Sequence, residues 1–152
     1  MSKVLLIVAL AASTPALADD SGWDQVDCSV SVRAFDAEGH TRPVRQVSAT
    51  MAPAVVFYGR ISPTEDDAPA LLFDVFTPRG RRYQTLVATP RVVMGERGGH
   101  RVKKVSKTRE ATLAVAGSSI AWTSMFGKWR VVPRIEGTDK PCGRPEFFTI
   151  RP

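Results

Sequence analysis

Histidine and cysteine are scarce in this 152-residue chain, with two of each. His40 and His100 lie in turn-like polar sequence and form no spaced ligand motif. Zinc is left with few donors, and most nucleophilic schemes are left without a histidine base. Gly117-Ser118-Ser119 lacks the glycines that flank the serine of a nucleophile elbow, and it reads as a turn. Cys142 stands in Lys140-Pro141-Cys142-Gly143, with no second cysteine or histidine nearby, which speaks against thiol catalysis. Glu65-Asp66-Asp67 is the densest acidic cluster. It lacks the glycine and alternating oxygen ligands of a calcium loop and reads as a solvated loop. No catalytic residue, metal or cofactor is therefore expected. A dispersed carboxylate pair, and with it a small hydrolase, is the one catalytic arrangement left open.

Long apolar runs are also missing, apart from one. Val4 to Ala12 is unbroken and apolar, follows a positive Met1-Ser2-Lys3, and precedes Ser13-Thr14-Pro15 and the small residues of Ala16-Leu17-Ala18. These are the three regions of a secretory signal peptide in order. A spanning helix needs about 20 apolar residues, and this run is far shorter. Residues 1–18 are therefore expected to be a cleaved signal peptide, with 19–152 an exported (periplasmic or secreted) domain that has no transmembrane segment. Export leads to an oxidising compartment, where an even pair of cysteines is usually joined. Cys28 and Cys142 are the expected disulfide.

Helical periodicity is the third absence, and alternation takes its place. Cys28, Val30, Val32 and Ala34 alternate with Ser29, Ser31 and Arg33, the pattern of a half-buried strand. Val55–Ile61 and Ala70–Phe76 predict two more strands. Thr77-Pro78-Arg79-Gly80 predicts a turn that returns the chain along Arg81–Val87. Further strands are expected at Val92–Met94, Ala111–Val115, Ile120–Thr123, Lys128–Ile135 and Glu146–Arg151. Pro133 should place its strand at an edge or beside a bulge. Asp74, inside an apolar strand, is expected to face solvent. Short strands with turn signals about every ten residues predict an all-β sandwich.

Gly117-Ser118-Ser119-Ile120, Gly127-Lys128-Trp129-Arg130-Val131, Cys142-Gly143 and Phe148-Thr149-Ile150 resemble the last strands of bacterial immunoglobulin-like or fibronectin-like domains. The Phe76-Thr77-Pro78-Arg79-Gly80 hairpin is similar to theirs as well. The resemblance implies a sandwich of about seven to nine strands that binds partners or spaces other domains. It departs from antibody domains, whose cysteines tie two central strands; here they tie the two ends of the chain.

Charge is unevenly spread. Asp19–Pro78 carries four basic and ten acidic residues, whereas Arg79–Arg109 carries ten basic residues and one acid, Glu96. Such a segment attracts a polyanion. Arg81, Arg82, Arg101, Lys103, Lys104, Lys107 and Arg109 are the candidate anion-binding residues, with Gly98-Gly99 as a mobile loop among them. The bland reading is a solvated face balancing the acidic first half. Only Tyr83 interleaves an aromatic, so nucleic acid is a poor fit. Trp122, Met125 and Phe126 form a second candidate, an apolar loop for a protein partner, with core packing as its plain alternative. The expected function is a non-enzymatic binding or structural domain of the cell envelope. A third reading is an inhibitor or accessory subunit that uses the apolar loop.

Overall fold

The computed structural model describes residues 26–36, 38–62 and 70–152. The expected signal peptide at 1–18 and the acidic cluster at 65–67 lie outside the described residues. The elements in order are β1 (Asp27–Phe35), β2 (Thr41–Pro43), β3 (Gln46–Ser48), β4 (Ala54–Ser62), β5 (Leu71–Phe76), β6 (Arg82–Arg97), β7 (His100–Ala114), a one-turn helix α1 (Ser119–Trp122), β8 (Gly127–Ile135) and β9 (Glu146–Arg151).

The nine strands form one sheet in the order β2-β1-β4-β7-β6-β5-β8-β9-β3, antiparallel except where β3 joins β9. β6 is its pivot. Arg82–Ala88 pairs with β5, and Thr89–Arg97 pairs with β7. The strand thus passes from one layer to the other, and the sheet folds into a β-sandwich. Only Val44 and Arg45 separate β2 from β3, the two ends of the sheet order. That short connection ties the open side of the sandwich.

The inward residues are those that alternation selects. Val30, Val32 and Ala34 of β1 are buried, as are Phe57 of β4, Phe73 and Val75 of β5, Trp129 and Val131 of β8, and Phe148 and Ile150 of β9. Contact between layers runs through rings. Phe57 of one layer lies 5.9 Å from Phe73 and 5.7 Å from Phe148 of the other, while half-buried Tyr83 lies 5.4 Å from Trp129 within its own layer. Truncating Phe57, Phe73, Trp129 or Phe148 to alanine costs about 3–5 kcal/mol.

The expected disulfide is present. Cys28 on β1 bonds Cys142, with a Cα–Cα distance of 5.2 Å. Backbone bonds flank it. Cys28 N–H donates to the Cys142 carbonyl at 2.8 Å, and Cys142 N–H donates to the Pro133 carbonyl at 3.0 Å. The bridge therefore fastens β1 in one layer to the chain beside β8 in the other. Gly143 is required there, because a side-chain carbon would overlap the Cys28 carbonyl oxygen.

Several sequence expectations are corrected. The strands expected at Arg81–Val87 and Val92–Met94 are not separate but fall in one strand, β6, which begins at Arg82. Ile120–Thr123 is not a strand. Ser118 caps a helical turn there, its hydroxyl accepting from Ile120 N–H at 3.2 Å. Pro133 lies in a strand paired on both sides, with no bulge in either of its ladders. Its carbonyl points toward Cys142, so its missing N–H faces the same side, past Val131, the last residue of β8 that β9 pairs. The lost donor falls where the neighbouring strand has ended.

Candidate anion-binding arm and turn pocket

The basic segment folds mostly as a two-stranded arm. β4 last pairs with β7 at Gly59↔Arg109, and β5 last pairs with β6 at Leu71↔Ala88. Beyond those points β6 and β7 pair only with each other, through Val92↔Val105, Val93↔Lys104, Met94↔Lys103, Gly95↔Val102, Glu96↔Arg101 and Arg97↔His100. A register shift between Pro90 and Val92 marks the root. At about 3.3 Å per residue the arm reaches roughly 20 Å beyond its root. Gly98 (φ 59) and Gly99 (φ 78) form its tip. Two consecutive left-handed residues are what a two-residue hairpin turn demands. The Gly-Gly pair is therefore a tight turn between paired strands, where the sequence suggested a loop.

Arg101, Lys103, Lys104 and Lys107 are all exposed on this arm, whereas Arg109 is half-buried at its root. Val92, Met94 and Val102 are exposed beside them. The flank of β7 leans over the ends of β1 and β4. A cleft of about 800 Å³ lies between, lined by Arg60, Val93, Lys104, Lys107 and Thr108, with Asp27 as its one acid among the described residues. Arg91 belongs to this cationic set and was not among the sequence candidates. Its guanidinium lies 5.3 Å from the centre of the Tyr58 ring, as does that of Arg33, and 3.9 Å from the Glu110 carboxylate. Arg91 thus anchors the root of the arm to the outer face of β4.

Arg81 and Arg82 are elsewhere. From Arg82 to the arm pair Val93↔Lys104, β6 runs about 35 Å. The seven candidates therefore do not form one patch. Arg81 and Arg82 line a second cleft, of about 560 Å³, together with Arg79, Tyr83, Met125 and Phe126. Two candidates that the sequence kept apart meet here. Trp122 is not among the lining residues. It is 81% exposed on α1, its indole N–H donating to the Gly117 carbonyl at 3.3 Å. Met125 and Phe126 are partly buried and pack against the core.

The outer face between these sites carries a further row. Register places Arg82, Phe76, Arg130 and Phe147 side by side across β6, β5, β8 and β9. Arg130 lies 4.4 Å above the Phe76 ring, and Lys128 lies 4.6 Å above that of Phe147. These cations cover rings that would otherwise stand bare to water.

Asp74 is buried, contrary to expectation. It accepts from Arg134 Nε at 2.8 Å and Nη2 at 3.4 Å, and from the Thr85 hydroxyl at 2.5 Å. Burial pushes its pKa up. The hydrogen bonds from Arg134 and Thr85 and the charges of Arg134 and Arg82 outweigh that and hold the carboxyl below its ordinary range. Arg134 also donates to the Thr138 carbonyl at 2.8 Å, and its own pKa is raised by Asp74. A carboxylate so engaged stays ionised and holds strands together; it is poorly suited to proton transfer. Among the described residues no cluster of three or more histidine, cysteine or acidic side chains could hold a metal.

No protein-family model matches the chain, and no curated protein matches it. A solved structure, that of an immunoglobulin-like protein from Pseudomonas aeruginosa, is similar at 14% identity, with a TM-score of 0.48 over 83% of this chain and 96% of that one. Its description matches the resemblance read from the residues. The all-β sandwich itself rests on the strand order and packing given above. No described helix is long and apolar enough to cross a membrane.

Proposed function

We propose that residues 19–152 are an exported, non-enzymatic sandwich domain that binds an anionic polymer of the cell envelope through the β6–β7 arm. The observation that carries this reading is the arm itself. Beyond its root none of its described side chains joins the buried core, and it holds Arg97, Arg101, Lys103, Lys104 and Lys107 against a single acid, Glu96. An isolated two-stranded ribbon is marginal on its own. Projecting like charges on one into solvent gains the fold nothing, and presenting them to a counter-charged polymer does. The non-enzymatic part is supported by Asp74, whose oxygens are already taken by Arg134 and Thr85. It is supported also by the clefts at the arm, at the β5–β6 turn and beside Phe147, each lined by at most one carboxylate among the described residues.

The test is retention of residues 19–152 on an immobilised acidic polysaccharide. Binding should be present at low salt and fall steeply as salt rises, since each neutralised anion releases a counterion. The triple variant Lys103→Glu, Lys104→Glu, Lys107→Glu should bind at least about tenfold more weakly at low salt. A wild-type protein that fails to bind at low salt refutes the proposal. Retention that ignores salt turns attention to Trp122, whose 81% exposure favours a protein partner as the second reading.

A further inference from the structure

The cleft at the β5–β6 turn has the makings of a second site, far from the arm and independent of it. One wall is the turn. Thr77 N–H donates to the Arg81 carbonyl at 2.8 Å, and Gly80 N–H to the Thr77 carbonyl at 2.9 Å. Gly80 takes the left-handed conformation at φ 78. The turn presents Arg79, Arg81 and Arg82, and none of the three is in an ion pair among the described residues. Arg82 does feel the more distant charge of Asp74.

The other wall is residues 123–126. Ser124 is left-handed at φ 53, which reverses the chain after α1. Met125 N–H then donates to the Ile120 carbonyl at 3.0 Å, and the Met125 carbonyl accepts from the Trp129 indole at 3.0 Å. Trp129 is fully buried, so the core holds this wall from behind. The two walls touch at Gly127, where a side-chain carbon would stand 3.1 Å from the Pro78 ring. The space between them, about 560 Å³, is therefore preformed. Its size falls within the range of small-molecule sites.

Among the described residues the lining holds no carboxylate, and beside the hydroxyls of Thr77, Thr123 and Ser124 it offers two chemistries. Arg79, Arg81 and Arg82 offer planar forks suited to phosphate or carboxylate oxygens. Tyr83, Met125, Phe126 and Pro78 offer an apolar surface, with methionine able to adapt to an irregular tail. A polymeric anion would use the cations and leave the apolar wall wet; a hydrocarbon would leave three guanidinium groups without a counter-charge. The geometry points to an amphiphile with a phosphate or carboxylate head and a short alkyl tail, bound head to the arginines and tail to Met125 and Phe126.

Dodecyl phosphate below its micelle concentration is the probe, and the Trp129 indole N–H resonance is the reporter, because its acceptor belongs to the apolar wall. A saturable shift is expected. Inorganic phosphate and neutral dodecyl maltoside should each bind at least about tenfold more weakly, since each meets half the lining. The double variant Arg79→Ala, Arg81→Ala changes exposed residues, should fold normally, and should weaken dodecyl phosphate about tenfold. Lys103→Ala with Lys104→Ala on the arm should leave it unchanged. The same shift with phosphatidylglycerol vesicles would make a membrane headgroup the source, and a shift with the free amphiphile alone would make it a soluble ligand; both support the site. No shift, equal binding of the neutral amphiphile, or equal binding of inorganic phosphate would overturn it.

Discussion

Removing the Cys28–Cys142 bridge should be the most damaging change that leaves the native contacts in place. The bridge spans 114 positions. In the chain-entropy account, closing a loop of that length removes about 16 cal/mol/K from the unfolded ensemble, which is about 5 kcal/mol at 25 °C. The native side of the balance changes little. The Cys28 N–H to Cys142 carbonyl bond and the Cys142 N–H to Pro133 carbonyl bond are backbone bonds and survive a change of side chain. The double variant Cys28→Ala, Cys142→Ala should therefore keep the wild-type near-ultraviolet spectrum at 20 °C. It should also lose about 4–5 kcal/mol by guanidinium unfolding, with a larger m-value because its unfolded chain is less compact. At this size the melting temperature should fall by roughly 15 °C. A loss below about 1 kcal/mol would refute the reasoning, since the unfolded chain would then not be limited by the crosslink. A lost near-ultraviolet spectrum would refute it differently, by showing that the two layers need the bridge to dock at all.

The Asp74–Arg134 pair makes a pH prediction. A carboxyl held below its ordinary range in the fold contributes stability that is present above its unfolded value, about 3.9, and is lost as pH falls through the folded value. Between pH 7 and pH 3 the wild type should thus lose more stability in urea than Asp74→Asn; equal losses would dismiss the linkage. Arg134→Ala should cost about 3 kcal/mol at pH 7, because it leaves a buried carboxylate uncompensated, and a loss within 0.5 kcal/mol by the same assay, the scale of about 0.5 typical of surface changes, would contradict that. Gly59→Ala should destabilise by about 1–3 kcal/mol in thermal unfolding. Its new carbon would meet Leu71 Cδ2 at 2.5 Å and Phe73 Cζ at 2.7 Å, both fully buried, and an unchanged melting temperature would show that these side chains yield. Replacing residues 92–105 by Asn-Gly should abolish polymer binding while shifting the melting temperature by no more than about 3 °C. A drop beyond about 10 °C would mean that the arm supports the sandwich.

What the chain reveals before folding depends on the range of the forces involved. β1 is legible because Cys28, Val30, Val32 and Ala34 face one core and alternation records it locally. The disulfide is legible because only two cysteines exist. Asp74 is not, because its partner Arg134 lies 60 positions away and meets it only once β5 and β8 pair. α1 escapes notice because one turn is too short for a helical period. Its signal is Ser118, a capping residue after left-handed Gly117.

The basic segment is the most instructive case. The cations run together in sequence, which leaves open whether they share one patch, and Arg81–Val87 and Val92–Met94 read as two strands. The fold parts the cations and joins the strands. Past Ala88 β6 has left β5 and is an edge on that side, where a strand tolerates a residue without an N–H. The chain can therefore continue straight through Pro90, and this extension separates Arg82 from Lys104. Residues adjacent in composition end up at opposite ends of one strand. Arg81 and Arg82 meet Met125 and Phe126, which arrive from some forty positions downstream, and the lysines are left with the arm. The length of β6 therefore sets the arginine cleft apart from the arm, so the two proposed anion sites are separate and can be tested one at a time.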